Sequence, residues 1–295
     1  MAEPRLPNFL IIGAARCGTT SLYHWLQQHP EIFLPAKKEP IYFAHGYGLY
    51  QPSAYQELFA EAEGKAMIGE GSTAYLSAPE SPAWIRSDLG RPRLIVVLRN
   101  PVDRAFSLYK WMVMSGLEWL PTFEKALEAE RGRIADHYFR WKCPEHFYNY
   151  LYFSSGLYCD QIARYFDTFD RDSVRVLLFE EVSKQPAAVF RELCEFLEVD
   201  PKVSVDLRPQ NASGWPWSVC AQYGARRLMQ AQRFHPGLSK LGSRQLLKKL
   251  MDRNLATGKP PTFASTTRER LKTAYREDVA RLSELLGRDL AHWLH

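Results

Sequence analysis

The sequence predicts an α/β fold in three layers, with a central parallel sheet flanked by helices and a helical C-terminal extension. Two observations lead to this prediction. Short apolar runs typical of buried strands, such as residues 9–12 and 94–98, alternate with segments of helical periodicity. Residues 211–295 instead show a helical pattern alone. We therefore predict one domain over residues 1–295, with its sheet core at about 8–200 and a helical part at about 211–295.

The individual elements follow in chain order. We expect a helix from Thr19 and a helix near Pro101, where proline is tolerated in the first turn. We expect Ser183 to cap a helix, and the run Thr266-Thr267-Arg268-Glu269 to form a capping box for the last helix, which Gly287 ends. The remaining elements are expected to be strands at 9–12, 32–34, 66–70, 94–98 and 174–179 and helices at 55–61, 79–89 and 156–169.

The turn after the first strand has the spacing of a phosphate-binding loop. Gly13 and Gly18 occupy the two glycine positions of GxxxxGK[ST], and Thr20 occupies the final hydroxyl position. Thr19 stands where a nucleoside triphosphatase has the lysine that reaches the β- and γ-phosphates. A cation is available nearby as Arg16. The loop therefore favours a phosphoryl or sulfuryl group of lower charge over a triphosphate.

Composition limits the class of protein. The 295 residues are 46% hydrophobic and 24% charged, as in a soluble globular enzyme, and the net charge of +5 is too mild to favour nucleic acid. No apolar run reaches the roughly 20 residues that span a bilayer. We expect a cytoplasmic protein, unless the chain is part of a longer, membrane-anchored enzyme.

The five cysteines are odd in number and widely spread, which indicates reduced thiols. Cys143 and His146 have metal-ligand spacing, but no second pair nearby completes a zinc site. We therefore predict no metal. Cys17, inside the glycine turn, is interpreted as a small loop residue.

Three runs together carry a resemblance to a known family. GAARCGTTSLYHWLQQHPEI, KKEPIYF and VVLRNPVDRAFSLY occur in this order, and the similarity extends over about residues 8–201. The chain thus resembles the sulfotransferases that use 3′-phosphoadenosine 5′-phosphosulfate (PAPS), in particular their bacterial and heparan-sulfate-type branch. The resemblance implies a P-loop-like fold, PAPS as co-substrate, adenosine 3′,5′-bisphosphate as product, and no metal.

The resemblance also implies which residues bind PAPS. The 5′-phosphosulfate would lie in the glycine turn, and the 3′-phosphate would be bound by Arg99 and Ser107. Arg16 stands where family members usually have lysine; it can stabilise the leaving phosphate but cannot donate a proton at neutral pH. The turn residues implied as contacts are Arg16, Cys17, Gly18, Thr19, Thr20 and Ser21.

Glu39 matches the general base of the heparan-sulfate-type enzymes. His45 is the competing base, because an unperturbed imidazole suits neutral pH better than a carboxylate. Many relatives place a lysine where this chain has Gly71, and this difference suggests a different acceptor site.

Two other functions stay open from the residues alone. A P-loop kinase would use the same sheet and loop, but Thr19 and the lack of an acidic Mg²⁺ site at a strand end disfavour it. A non-catalytic nucleotide-binding module would have no need of Glu39. The acceptor is expected to be a glycan, a lipid, a secondary metabolite or a carrier-bound molecule.

Overall fold

The computed structural model describes residues 6–44, 48, 51–208, 214–234, 243–255 and 261–295. Within these residues one parallel sheet has the strand order β2-β3-β1-β4-β5, which confirms the predicted fold class. The strands are β1 (Phe9–Gly13), β2 (Ile32–Phe33), β3 (Met67–Gly71), β4 (Arg93–Leu98) and β5 (Val174–Leu178).

Helices connect and flank these strands. No helix in the described ranges combines the length and apolar composition that a membrane span requires. The α-helices are α1 (Thr19–Gln27), α2 (Pro52–Glu57), α3 (Ala74–Ser77), α4 (Ser81–Leu89), α5 (Pro101–Met114), α6 (Phe123–Glu128), α7 (Glu130–Ala135), α8 (His137–Lys142), α9 (Tyr158–Thr168), α10 (Phe179–Lys184), α11 (Pro186–Leu197), α12 (Val219–Phe234), α13 (Arg244–Leu255) and α14 (Ser265–Leu286).

The chain divides into two compact units. The first comprises Met1–Arg104, Leu157–Gln210 and Arg276–His295 and contains the sheet. The second comprises Ala105–Gly156 and Asn211–Tyr275 and contains α6, α7, α8, α12 and α13. The assignment of residues 1–295 to one domain stays a prediction.

The centre of the first unit is β1. Its Leu10 pairs with Glu70 of β3 on one side and with Leu94 of β4 on the other. Every residue of β1 is buried, because helices cover both faces of a parallel sheet and leave its central strand only apolar surroundings. The chain leaves β1 toward β2 and β3 on one side and later adds β4 and β5 on the other. Such a reversal opens a crevice at the carboxyl end of the strand, where ligands bind in open α/β sheets.

The second unit is organised around a buried ion pair and aromatic side chains. Arg133 Nη2 lies 2.7 Å from Glu118 Oε2, and the Tyr152 hydroxyl donates to the same oxygen over 2.8 Å. The ring centroids of Phe123 and Phe263 are 5.3 Å apart. A charged pair with its hydrogen bonds satisfied can be buried in such a core, whereas either partner alone would be costly.

Two predicted helix starts were wrong. Ser183 does not cap a helix: α10 begins directly after β5, Ser183 Oγ donates to the Glu180 carbonyl, and α11 starts at Pro186 with Gln185 as its N-cap. Proline favours the first turn of a helix because its φ is already helical. Pro186 therefore determines where α11 begins, and Ser183 does not. The capping-box prediction at Thr266 was also wrong, since α14 begins at Ser265 and Thr266 therefore lies inside the helix and not at its N-cap. The stop at Gly287, with φ 63°, is confirmed.

Candidate functional site

The anion loop, residues 13–21, joins β1 to α1 and depends on its glycines. Gly18 is the N-cap of α1 in a left-handed conformation (φ 87°), and a Cβ there would lie 3.1 Å from the Phe179 ring. A Cβ at Gly13 would lie 2.6 Å from Leu76 Cβ. Gly18 has no side chain, so it supplies no side-chain acceptor to the first N–H groups of α1. These N–H groups and the helix dipole favour an anion.

Two guanidinium groups lie beside this loop. Arg99, just after β4, donates from Nη1 to the Arg16 carbonyl over 3.4 Å, and its guanidinium carbon lies 4.5 Å from the Phe179 ring centroid. Burial and then the positive charge of Arg99 lower the pKa of Arg16. An anion bound at either guanidinium would relieve this repulsion, so the two arginines favour phosphate or sulfate groups.

The other loop residues differ in exposure. Thr19 and Ser21 are buried, whereas Thr20 is exposed. Cys17 is fully buried, and burial raises the pKa of its thiol to about 11, against the opposing charges of Arg104 and Arg99. A neutral, enclosed thiol agrees with its interpretation as a small loop residue.

Glu39 is held at the carboxyl end of β3. Its N–H donates to the Gly71 carbonyl (2.9 Å), and its Oε2 accepts from the Thr73 N–H (2.8 Å). The Thr73 hydroxyl donates to Oε1 over 3.1 Å. The side chain is still 36% exposed, so its carboxylate is both fixed in place and accessible to a substrate.

The backbone around Glu39 is strained. Glu39 has φ 63° and Ile41 has φ 52°, values that are uncommon for residues other than glycine and rare for a β-branched side chain. The Ile41 N–H donates to Ser72 Oγ over 3.0 Å, which holds the segment against the end of β3. Strain that surrounding hydrogen bonds maintain is found most often where a side chain must be aimed for function.

Lys38 connects Glu39 with the anion loop, and the sequence analysis did not select it. Its Nζ lies 3.0 Å from Thr19 Oγ1, 3.5 Å from Thr20 Oγ1 and 3.5 Å from Glu39 Oε1. Burial lowers the pKa of this ammonium, and the charge of Glu39 opposes the change. The only signal in the sequence was its position beside Glu39 in the run KKEP.

Glu70, on β3, is a second residue that the sequence analysis did not select. It is fully buried, and Ser72 Oγ donates to its Oε2 over 2.8 Å. Burial raises the pKa of this carboxyl to about 8, although hydrogen bonds from Tyr75 and Ser72 act in the opposite direction. Glu70 is therefore a neutral acid at pH 7, next to the segment that carries Glu39.

The structure thus brings Arg16, Cys17, Gly18, Thr19, Thr20, Ser21, Arg99 and Glu39 into the first unit at the carboxyl end of the sheet. Ser107 lies on α5 in the second unit, and its role stays a prediction. His45 lies outside the described residues. Among the described residues, no three His, Cys, Asp or Glu side chains are placed to hold a metal ion.

Comparisons with known proteins agree with this geometry. Residues 6–210 match the family described as "Sulfotransferase domain". A sulfotransferase structure from Alicyclobacillus acidocaldarius is 30% identical, with a TM-score of 0.75, and the match covers 99% of this chain and 100% of that one. The structure of mouse sulfotransferase SULT7A1 complexed with PAP is 15% identical with a TM-score of 0.51, over 93% of this chain and 85% of that one.

Among curated proteins, the mouse bifunctional heparan sulfate N-deacetylase/N-sulfotransferase 4 is 25% identical over 98% of this chain and 31% of its own length. The chain spans from 31% to 59% of the length of the first curated relatives that it matches. Both sides of the predicted resemblance, bacterial and heparan-sulfate-type, are therefore found among the similar proteins.

Proposed function

Because the chain belongs to the sulfotransferase family, we propose that it transfers a sulfuryl group from PAPS to an acceptor hydroxyl, or to an amine. The acceptor would be a glycan, a lipid, a secondary metabolite or a carrier-bound molecule. The proposed reaction is an in-line displacement, in which the protein positions PAPS and acceptor and stabilises the charge that develops on the leaving phosphate.

The observation that carries this proposal is the contact of Lys38 with both the candidate base and the anion loop. Glu39 Oε1 lies 3.5 Å from Lys38 Nζ, and the same nitrogen lies 3.0 Å from Thr19 Oγ1. A fixed carboxylate is therefore connected to the predicted sulfuryl site through the ammonium of Lys38.

In the proposed reaction, Glu39 accepts the proton of the acceptor hydroxyl as the acceptor oxygen forms its bond to sulfur. The bond between sulfur and the bridging phosphate oxygen breaks, and its electron pair stays on the phosphate. Arg16 and the N–H groups at the start of α1 stabilise the negative charge on that phosphate. Since Arg16 cannot donate a proton at neutral pH, the phosphate leaves as an anion.

For the other end of PAPS, we assign Arg99 to the 3′-phosphate. Arg99 directly follows β4, and its Nη1 donates to the Arg16 carbonyl, so its guanidinium lies beside the anion loop. Ser107 remains its predicted partner. The kinase alternative has weaker support: Glu180, the acidic residue after β5, accepts from the Trp293 indole N–H over 2.9 Å and lies 2.8 Å from His292 Nε2.

Titration calorimetry tests the proposal. We expect adenosine 3′,5′-bisphosphate to bind without Mg²⁺ and more tightly than ATP, and radiolabelled sulfate to pass from PAPS to at least one acceptor class in a screen. Preference for ATP with a Mg²⁺ requirement would refute the proposal in favour of a kinase. Tight bisphosphate binding with Glu39→Gln as active as the wild type would shift the base to another residue, with His45 next to be tested.

A further inference from the structure

Lys38 supplies a positive charge beside Thr19, a position of the anion loop that carries no charge itself. A P-loop carries its phosphate-binding lysine at the position that Thr19 occupies. The Lys38 ammonium approaches from the segment after β2 and lies 3.0 Å from the hydroxyl of this threonine. The missing loop cation is thus replaced by one from a different part of the chain.

We propose that Lys38 is a PAPS-binding residue, whose ammonium contacts the sulfuryl group and orients the hydroxyls of Thr19 and Thr20 toward it. The inference deepens the proposed function and rests on it. It assigns to Lys38 the stabilisation of charge on the transferring group, and leaves the leaving phosphate to Arg16.

Hydrogen-bond direction supports the orienting role. An ammonium can only donate, so a threonine hydroxyl that it contacts must act as the acceptor. The hydroxyl hydrogen then points away from Lys38 and is available to an anionic oxygen. With Thr19 at 3.0 Å, this constraint is set before any ligand binds.

The contact distances support direct binding as well. Only the contact with Thr19 is short; those with Thr20 and Glu39, both 3.5 Å, are near the upper limit for a hydrogen bond. The ammonium has three N–H groups, so two of them can turn to a sulfuryl oxygen without loss of a strong bond. The side chain is 17% exposed, which is enough for ligand contact.

Gly71 provides the space that Lys38 uses. A Cβ at position 71 would lie 3.2 Å from Lys38 Cε and 2.9 Å from the Tyr23 ring, which itself lies 5.9 Å from Lys38 Nζ. A side chain at position 71 would therefore push Lys38 away from the threonines. The absence of a side chain at position 71 thus leaves space for the observed path of Lys38.

The test is PAPS binding by calorimetry in the absence of acceptor, with adenosine 3′,5′-bisphosphate as the ligand that lacks the sulfuryl group. For Lys38→Met we expect PAPS affinity to fall roughly 10- to 100-fold, the range of a charge-assisted contact, and bisphosphate affinity to fall less. The matched control is Lys37→Met, which removes the neighbouring exposed lysine and should leave both affinities unchanged.

Gly71→Ala is a second test of the role of Lys38. It replaces none of the residues that are predicted to contact PAPS. We expect it to weaken PAPS binding in the wild-type background and to have little further effect when Lys38→Met is present. If wild-type protein binds neither nucleotide, the proposed function fails. If the wild type binds both nucleotides but Lys38→Met binds PAPS as tightly as the wild type, only the inference about Lys38 is refuted and the proposed function stands. The same conclusion follows if the effects of Lys38→Met and Gly71→Ala on PAPS affinity are additive.

Discussion

The buried carboxyl of Glu70 predicts a specific dependence of stability on pH. Its pKa is raised by burial from 4.5 to about 8, so the folded protein keeps this proton over a range in which the unfolded chain releases it. Below pH 4.5 both states are protonated and the full stability is present. As the pH rises from 4.5 to about 8, the contribution of Glu70 to the free energy of unfolding falls by up to about 1.4 kcal/mol per pH unit.

The perturbation that isolates this effect is Glu70→Gln. Glutamine is neutral at every pH and keeps an oxygen that can accept the 2.8 Å hydrogen bond from Ser72. Over the 3.5 units between the two pKa values, the wild type should lose on the order of 5 kcal/mol relative to this variant. We expect the measured loss to be several kcal/mol.

Urea unfolding at pH 5, 6, 7 and 8 measures the difference directly, with the m-value as a check that the denatured state is unchanged. The two stability profiles should diverge as the pH rises toward 8, with the wild type losing stability relative to the variant. Parallel profiles would show that Glu70 ionises normally and would refute the assignment of a neutral acid beside Glu39.

Three further predictions concern the anion loop and its partners. Arg99→Ala should weaken bisphosphate binding roughly 10- to 150-fold, because a charge-assisted phosphate contact contributes about 1.5–3 kcal/mol; the exposed Arg91→Ala is the control, and equal affinities would refute the assignment. Glu39→Gln should keep bisphosphate affinity within about twofold while turnover falls about 10²- to 10⁴-fold, as for loss of a general base; an unchanged turnover would contradict it. Gly18→Ala should lower the free energy of unfolding by more than Gly64→Ala, since both positions have positive φ but only a Cβ at 18 meets a neighbour, at 3.1 Å; equal losses in urea unfolding would mean that this contact is unimportant.

Much of the sheet was predictable, because a strand covered on both faces has little choice of composition. The runs in β1 and β4 are apolar throughout, and their predicted bounds agree with the structure to within one residue. Helix starts were less predictable, since several signals compete locally: Pro186 determined the start of α11, against the serine three residues earlier. The sequence signal of a cap is strong only where nothing else fixes the first turn.

The candidate site was predictable only in part. Glycine spacing located the anion loop, and the family resemblance selected Glu39 and Arg99. Lys38 and Glu70 were missed, because their environment depends on how the segment after β2 lies against the end of β3, which no periodicity in the sequence reports. A long flexible side chain such as Lys38 gains its place from tertiary contacts rather than from its neighbours in sequence.

The strand order has a consequence for how this protein could be redesigned. Apart from Lys38, the residues assigned to PAPS follow β1 and β4, whereas Glu39 and Thr73 follow β2 and β3 on the opposite flank of the central strand. The proposed acceptor side and most of the proposed PAPS contacts thus lie on separate stretches of the polypeptide. Grafting residues 39–44 and 72–80 from another sulfotransferase, with Lys38 kept, should therefore change the preferred acceptor while the affinity for the nucleotide is retained.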